Sequence, residues 1–255
     1  QEWHQAHTDS CAKNTTSSAP GMEAEAVEKL WSRSEAKNNL RYVTYIGDGD
    51  SKGHKRVSVA KPYGDTAIVK DECIGHVQKR VGKGLRDLKT KLGSTKLSDG
   101  KALTGKGRLT EKMMDKLQNY YGIAVRGHVG DVDGTYRAIW ASLHHHGGSH
   151  DMCPPGKDSW CKYQQQKAGA NIIYNQSHVL LPKAAVNELK PLYVRLTDRE
   201  LLARCVRGAT QDVNEVFNAV LWSLCPKTSF CGPLTVETST YLAVGLFNHG
   251  TATVK

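Results

Sequence analysis

Two carboxylates one residue apart, Asp48 and Asp50, follow a short segment over residues 41–46 that is rich in aromatic and β-branched side chains. That composition predicts a β-strand that ends at Gly47. Asp and Gly are common in tight polar turns. Carboxylate oxygens are also the ligands that Mg²⁺ and Mn²⁺ prefer. The motif therefore predicts either a turn or one part of a metal site.

Soft metal ligands occur at two later places in the chain. Cys73 and His76 form a C-x-x-H pair, and His150 is followed by Cys153 and Cys161. Thiolate and imidazole groups at such spacings are typical of zinc sites. Buried thiols and a hydrogen-bonded core histidine are the alternative interpretation. We expect the neighbouring sequence LHHHGGSH to be a polar helix end rather than a ligand cluster of its own.

A third acidic candidate, Glu215, lies near the start of an amphipathic helix predicted over residues 211–223. Asn214 and Asn218 flank it. A glutamate in the first helical turn usually complements the helix dipole, so this residue alone indicates structure rather than catalysis.

The positive charge is concentrated in one region of the chain. The net charge is +10, and residues 77–116 contain twelve Lys or Arg against four Asp or Glu. Such a cluster suits a polyanionic partner, although a solvated helical face has the same composition. Apolar residues at helical spacing predict a helix here with a basic outer face. We expect its phosphate contacts to be Lys79, Arg80, Lys83, Arg86 and Lys89.

Several classes of protein are excluded by composition and motif. No apolar run is long enough to span a membrane. The segment GKALTGKG, residues 100–107, resembles a phosphate-binding loop, but it lacks the final Ser or Thr and no strand precedes it. We therefore expect no nucleoside triphosphate. The seven cysteines, several with a histidine nearby, favour metal-binding pairs over a disulfide scaffold.

Local patterns place strands early in the chain and helices late. We predict a helix over residues 22–36, a second strand over residues 66–70, and a helical stretch over residues 184–206 that breaks at Pro191. The closing helices are expected at residues 211–223 and 234–247.

In this order, a strand ending in Asp, a C-x-x-H pair, a helical block and N-E-x-x-N on a late helix resemble the catalytic domain of Mutator-like transposases. These are eukaryotic DDE enzymes with an RNase H-like fold. The resemblance runs over nearly the whole chain. The segments that carry it are GDGDSK, DECIGHVQKRVGKGLRDLK, GKGRLTEKMMDKLQNYYGIAVRG, CPPGKDSWCKY, LPKAAVNELKPLY and TQDVNEVFNAVLWSLCPKT.

The resemblance implies an α/β fold in which an RNase H-like mixed sheet is flanked by helices. A helical insertion would separate the second and third catalytic carboxylates. The expected divisions are a zinc-element-like loop (1–21), the first part of the core (22–92), a mostly helical insertion (93–183) and the C-terminal core helices (184–255).

The resemblance also assigns catalytic roles. Asp48 would be the second carboxylate and Glu215 the third, with Asp50 as the fallback for Asp48. Together with a first Asp they would hold two Mg²⁺ or Mn²⁺ ions for DNA cleavage and strand transfer at transposon ends. The first Asp is expected upstream of residue 1, so this fragment alone should be inactive.

Structural zinc is a further expectation from the resemblance. Cys73 and His76 would be completed by Cys153 and Cys161 into a tetrahedral S₃N site, with His150 as an alternative ligand. His7 and Cys11 resemble the end of a C-x-x-C…H-x-x-x-C zinc element, and an unstructured terminus is the alternative.

The partners that the resemblance implies are double-stranded DNA, both terminal repeats and target, and further copies of the chain in a homo-oligomer. Nuclear localisation follows from that substrate. One rival interpretation is a domesticated, inactive protein that binds DNA or is stabilised by zinc. Another is a cellular nuclease of the same fold, which would hydrolyse DNA without strand transfer.

Overall fold

The computed structural model describes His7 and residues 15–49, 51–175 and 180–251. The described elements, in chain order, are α1 (Ala19–Ser32), α2 (Ser34–Asn38), β1 (Thr44–Gly47), α3 (Lys52–Ala60), β2 (Val69–Glu72), α4 (Ile74–Leu92), α5 (Glu111–Gly127), α6 (Val132–His146), α7 (Lys162–Lys167), α8 (Lys183–Leu196), α9 (Arg199–Cys205), α10 (Asp212–Leu224) and α11 (Pro233–His249).

The described residues belong to two compact units. The first unit comprises residues in 1–43, 51–68 and 211–255, and the second comprises residues in 44–50 and 69–210. The four sequence divisions expected above remain a prediction.

In the first unit, α1 packs against α3, and α10 packs against α11. Val57 of α3 and Ala24 of α1 are buried. The helix expected over residues 22–36 is interrupted at Arg33, after which the short α2 begins. Trp31 donates a hydrogen bond from its indole N–H to the carbonyl oxygen of Tyr42, at 2.7 Å, which joins α1 to the segment that follows α2.

The sheet of the second unit has two parallel strands among the described residues. Ile46 pairs with Asp71 and Gly47 with Glu72, so the carboxyl ends of β1 and β2 lie at the same edge. The second strand begins at Val69, three residues later than predicted. The described part of the chain is thus mostly helical with a small parallel sheet, and the α/β fold with a wider mixed sheet remains a prediction.

Helices α4, α5, α6 and α8 enclose the core of the second unit. The apolar stripe of α4 expected from the sequence is buried, including Val77, Val81 and Leu85. Thr110 caps α5 by accepting a hydrogen bond from the Met113 N–H, and Asp131 caps α6. These caps fix where each helix begins.

The prediction that the helix over residues 184–206 breaks at Pro191 is wrong. Pro191 lies inside α8, which continues to Leu196. Proline in a helix interior costs about 3 kcal/mol. Leu189 and Leu192 on either side are buried in the core, and their packing maintains the helix. The break comes at Asp198, whose carboxylate accepts hydrogen bonds from the first backbone N–H groups of α9.

None of the helices in the described part of the chain is long and apolar enough to cross a membrane.

Candidate active site and metal centre

Asp48 directly follows β1, at the edge of the sheet where β1 and β2 both end, and it is exposed to solvent. Its main-chain carbonyl accepts a hydrogen bond of 3.0 Å from the guanidinium of Arg80. The N–H of Cys73 donates to the carbonyl of Gly47 at 2.8 Å. The backbone that presents Asp48 is therefore held from both α4 and the end of β2.

Two buried acids, Asp71 and Glu72, end the neighbouring strand and were missed by the sequence analysis. They are 4% and 3% exposed. Glu72 contacts Arg80 at 2.6 Å and also lies near Lys70 and Arg204. The carboxylate of Asp71 lies 2.7 Å from the guanidinium of Arg207. Buried carboxylates require such cationic partners, since an unpaired buried charge is strongly unfavourable.

Arg80 connects this buried network to the candidate catalytic residue. One guanidinium nitrogen serves both the Glu72 carboxylate and the Asp48 carbonyl. Arg80 was expected to contact phosphate, but in this structure it joins α4 to the sheet edge. Cys205 lies close by, and its pKa is raised to about 12 by burial, with Glu72 adding to the effect. That thiol is a packing group rather than a nucleophile.

Glu215 lies in the first turn of α10 and is exposed. Its backbone N–H donates to the carbonyl of Gln211 at 3.0 Å, within that helix start. Phe217 of α10 packs edge-to-face on Phe247 of α11, which holds the two helices together. Glu215 belongs to the first unit and Asp48 to the second, so a shared ion site remains a prediction.

Two of the expected phosphate contacts form ion pairs between α4 and α5. Arg86 contacts Glu111 at 3.2 Å and Asp115 at 2.8 Å, and Lys89 contacts Glu111 at 2.8 Å. Lys89 and then Arg86 hold the pKa of the Glu111 carboxyl below its usual range. All four groups are about half exposed, so the pairs are screened by water.

The remaining expected contacts, Lys79 and Lys83, are exposed on α4. Lys83 lines an open groove of about 710 Å³ formed by α4, α8 and α9. The groove carries more positive than negative side chains, which suits a phosphate backbone. Its charged lining residues are Arg80, Lys83, Asp87, Arg195, Asp198 and Arg204.

The C-x-x-H pair begins α4. Cys73 is the N-cap residue of the helix and is buried, and His76 is half-buried one turn later. Among the described residues, the group of metal-ligating side chains that the structure brings together does not include these two.

That group consists of His145, His150, Cys153 and Cys161. Their ligand atoms all lie within 4.8 Å of one another. His145 comes from the last turn of α6, and Cys161 is the N-cap residue of α7. Three of the four, His150, Cys153 and Cys161, were candidates from the sequence, and His145 was not. In this group His145 and His150 stand beside the two cysteines, and a zinc role for the C-x-x-H pair remains a prediction. The arrangement could hold a metal ion such as zinc.

Burial and the neighbouring Cys161 set the acidity of the Cys153 thiol. The pKa of Cys153 is raised to about 12, chiefly by burial and then by the neighbouring Cys161. A cation between the sulfurs would reverse this effect, because metal-bound thiols are deprotonated. Ring contacts surround the group, with Trp160 edge-on to His145 and Tyr163 stacked on His150.

Of the two N-terminal zinc candidates, His7 and Cys11, only His7 lies among the described residues. His7 is helical and half-buried. Cys11 and Asp50 lie outside the described residues, so their proposed roles remain predictions.

The sequence pattern gave only weak indications of a role for His145, Asp71 and Glu72. His145 is the middle of three consecutive histidines, and only the helical geometry shows which one turns toward the loop. Asp71 and Glu72 follow the strand that the sequence predicts over residues 66–70, but their burial depends on arginines more than 100 residues later as well as on Arg80.

Comparison with protein-family models gives a match to the Mutator-like transposase family over residues 1–161. The match includes Asp48, the C-x-x-H pair and all four members of the His/Cys group, and it ends before Glu215. Comparison with curated proteins gives no match, and comparison with solved structures gives none either.

Proposed function

Since this chain belongs to the family of Mutator-like transposases, we propose that it carries the phosphoryl-transfer chemistry of a DDE transposase, cleaving DNA at transposon ends and joining it to a target. The family match carries the proposal, because it spans the strand end that presents Asp48. An RNase H-like sheet containing β1 and β2 is part of the proposal.

The donor groups fit hard divalent ions. Asp48 and Glu215 are exposed residues, and their carboxylate oxygens are ligands of the kind that Mg²⁺ and Mn²⁺ prefer. If bound by these residues, two such ions would supply activation of the attacking hydroxyl and stabilisation of the leaving oxygen in an in-line displacement. Asp48 and Glu215 would hold the ions, and Arg80 would fix the backbone of Asp48. The soft ligands of the His/Cys group do not suit these ions.

The proposed substrate is double-stranded DNA, bound along α4 and the adjoining groove. Lys83 and Arg195 line that groove and would contact phosphate oxygens, which position the duplex without selecting a sequence. A homo-oligomer that acts in the nucleus on terminal repeats and target DNA completes the proposal.

Strand transfer with Mg²⁺ tests the catalytic assignment. The assay uses the longest natural polypeptide that contains this chain, because three carboxylates are needed. Asp48→Asn and Glu215→Gln should each reduce strand transfer by at least ~10³-fold, since each removes a charged ligand of the ion pair. DNA affinity in the absence of divalent ions should change little.

Asp65→Asn and Glu237→Gln are matched controls, since both residues are exposed acids of the first unit. Both variants should keep wild-type activity. Full activity in Glu215→Gln would refute the assignment of the third carboxylate.

A second candidate function is a domesticated protein that binds DNA without cutting it. The basic groove formed by α4, α8 and α9 would suit DNA binding with or without cleavage, and the family match is compatible with both. Wild-type polypeptide that binds terminal repeats but neither cleaves nor transfers strands would support it. Hydrolysis without strand transfer would instead indicate a nuclease.

A further inference from the structure

The His/Cys group lies within one short stretch, residues 145–161, outside the proposed catalytic carboxylates. We propose that His145, His150, Cys153 and Cys161 bind one structural Zn²⁺. This proposal goes beyond phosphoryl transfer and does not depend on it.

The distances between ligand atoms match a tetrahedron around zinc. Zn–N bonds of about 2.0–2.1 Å and Zn–S bonds of about 2.3 Å place two nitrogens about 3.3 Å apart and a nitrogen and a sulfur about 3.6 Å apart. The Nδ1 atoms of His145 and His150 are 3.2 Å apart. Cys153 Sγ lies 3.5 Å from His145 Nδ1, and Cys161 Sγ lies 3.4 Å from His150 Nδ1. Cys153 Sγ and His150 Nδ1 are 4.0 Å apart.

The donor set selects the metal and its role. Two thiolates and two imidazoles in a tetrahedron are typical of zinc, whereas magnesium and calcium prefer oxygen ligands. Four protein ligands leave no position for water or substrate, which distinguishes a structural site from a catalytic one. Three of the ligands are buried, and His145 is half-buried.

A second layer of contacts orients the ligands. Nε2 of His150 lies 3.0 Å from the hydroxyl of Tyr174, so the nitrogen that does not face the metal has its own partner. The side-chain amide of Gln164 donates to the carbonyl of His150 at 2.7 Å. Such outer contacts fix the tautomer and ring direction of zinc-binding histidines.

Three of the four ligands also account for most of the buried residues in the segment that follows α6. Between residues 147 and 175, the buried residues are His150, Cys153, Ser159 and Cys161. Ser159 itself accepts a hydrogen bond from the N–H of Cys161. The segment therefore has no apolar core of its own, and a bound metal takes its place, as in small zinc domains.

Metal analysis of the 255-residue chain tests the proposal directly. The purified protein should contain one zinc per chain by mass spectrometry of the metal. Co²⁺ titrated into chelator-treated protein should give the visible d–d and thiolate charge-transfer bands of a tetrahedral site.

Variants separate this ligand set from the C-x-x-H alternative. His145→Asn and Cys161→Ser should lose zinc, with affinity lowered at least about 100-fold. His144→Asn and Cys231→Ser, matched changes outside the group, should retain it. Tyr174→Phe should bind about 10-fold more weakly. Loss of zinc in Cys73→Ser together with its retention in His145→Asn would overturn the proposal.

Hydrogen exchange of the wild-type chain avoids dependence on variant folding. Amides of residues 147–170 should exchange at least about 10-fold faster after zinc is removed, while those of α4 and α5 should change little. A chain that contains no zinc, or exchange that is unaffected by zinc, would also overturn the proposal.

Discussion

Glu72 and Arg80 form a largely buried charge pair that contacts the backbone of Asp48, the exposed residue that we propose to be catalytic. Glu72 is enclosed at the end of β2, and Arg80 reaches from α4 to contact both Glu72 and the Asp48 carbonyl. A buried ion pair contributes little net stability compared with apolar packing, but it fixes geometry. Its function here is to hold the loop after β1 in place.

Glu72→Gln should lower the free energy of unfolding by about 2–3 kcal/mol, because it leaves cationic partners beside a neutral side chain. The loss should be smaller than for a fully buried pair, since Arg80 and Arg204 are about one third exposed. Denaturant unfolding measures the change. Strand transfer should also fall, because Arg80 then holds the Asp48 backbone less firmly.

Glu111→Gln is the matched control, since Glu111 also pairs with cations of α4 but is about half exposed. Its effect on stability should be much smaller. Equal losses in the two variants would contradict the role given to the Glu72 pair.

At the scale of helices and strands, the sequence predicted those features that depend on the local spacing of apolar residues. Helix α4 and its buried stripe were confirmed, because apolar spacing and burial follow the same period. The continuity of α8 through Pro191 could not be predicted, since it depends on packing of Leu189 and Leu192 against other helices. His145 was missed for the same reason, because only the tertiary fold brings it to the two cysteines.

The basic face of α4 is divided between lysines that differ in environment. Lys89 hydrogen-bonds to Glu111, whereas Lys83 lines the open groove. Each phosphate contact contributes about 0.9 to the slope of log K against log salt concentration. We expect Lys83→Ala to reduce that slope by about 0.9 and Lys89→Ala to reduce it less. Fluorescence anisotropy with duplex DNA over a range of salt concentrations measures both.

Lys89→Ala is a matched control, because it removes the same side chain from the same helix. Similar reductions in both variants would show that the Glu111 contact gives way to phosphate. An unchanged slope in Lys83→Ala would remove the groove from the DNA interface.

At the scale of the whole molecule, the family could be recognised from the order of motifs, but whether Asp48 and Glu215 meet could not be derived from that order. The two residues are separated by most of the chain and belong to different compact units. Local pattern fixes each carboxylate on its own element. Only the relative placement of the units decides whether both can bind the same pair of ions.

Iron-directed cleavage of the backbone tests whether Asp48 and Glu215 bind the same ions. Fe²⁺ can replace Mg²⁺ at oxygen ligands, and with ascorbate and peroxide it cuts the nearest peptide bonds. In zinc-loaded protein, where the His/Cys group is already occupied, we expect cuts near residues 48 and 215 in the same sample. Excess Mg²⁺ should suppress both, and gel electrophoresis with mass spectrometry locates them.

The variants distinguish one shared site from two separate ones. If both carboxylates bind the same ions, Asp48→Asn should remove the cut near Glu215, and Glu215→Gln should remove the cut near Asp48. Replacing one carboxylate can remove the cut near the other only if both carboxylates bind the same ions. A cut near Asp48 that persists undiminished in Glu215→Gln would show that the carboxylates act separately, and direct two-ion chemistry by this pair would then be excluded.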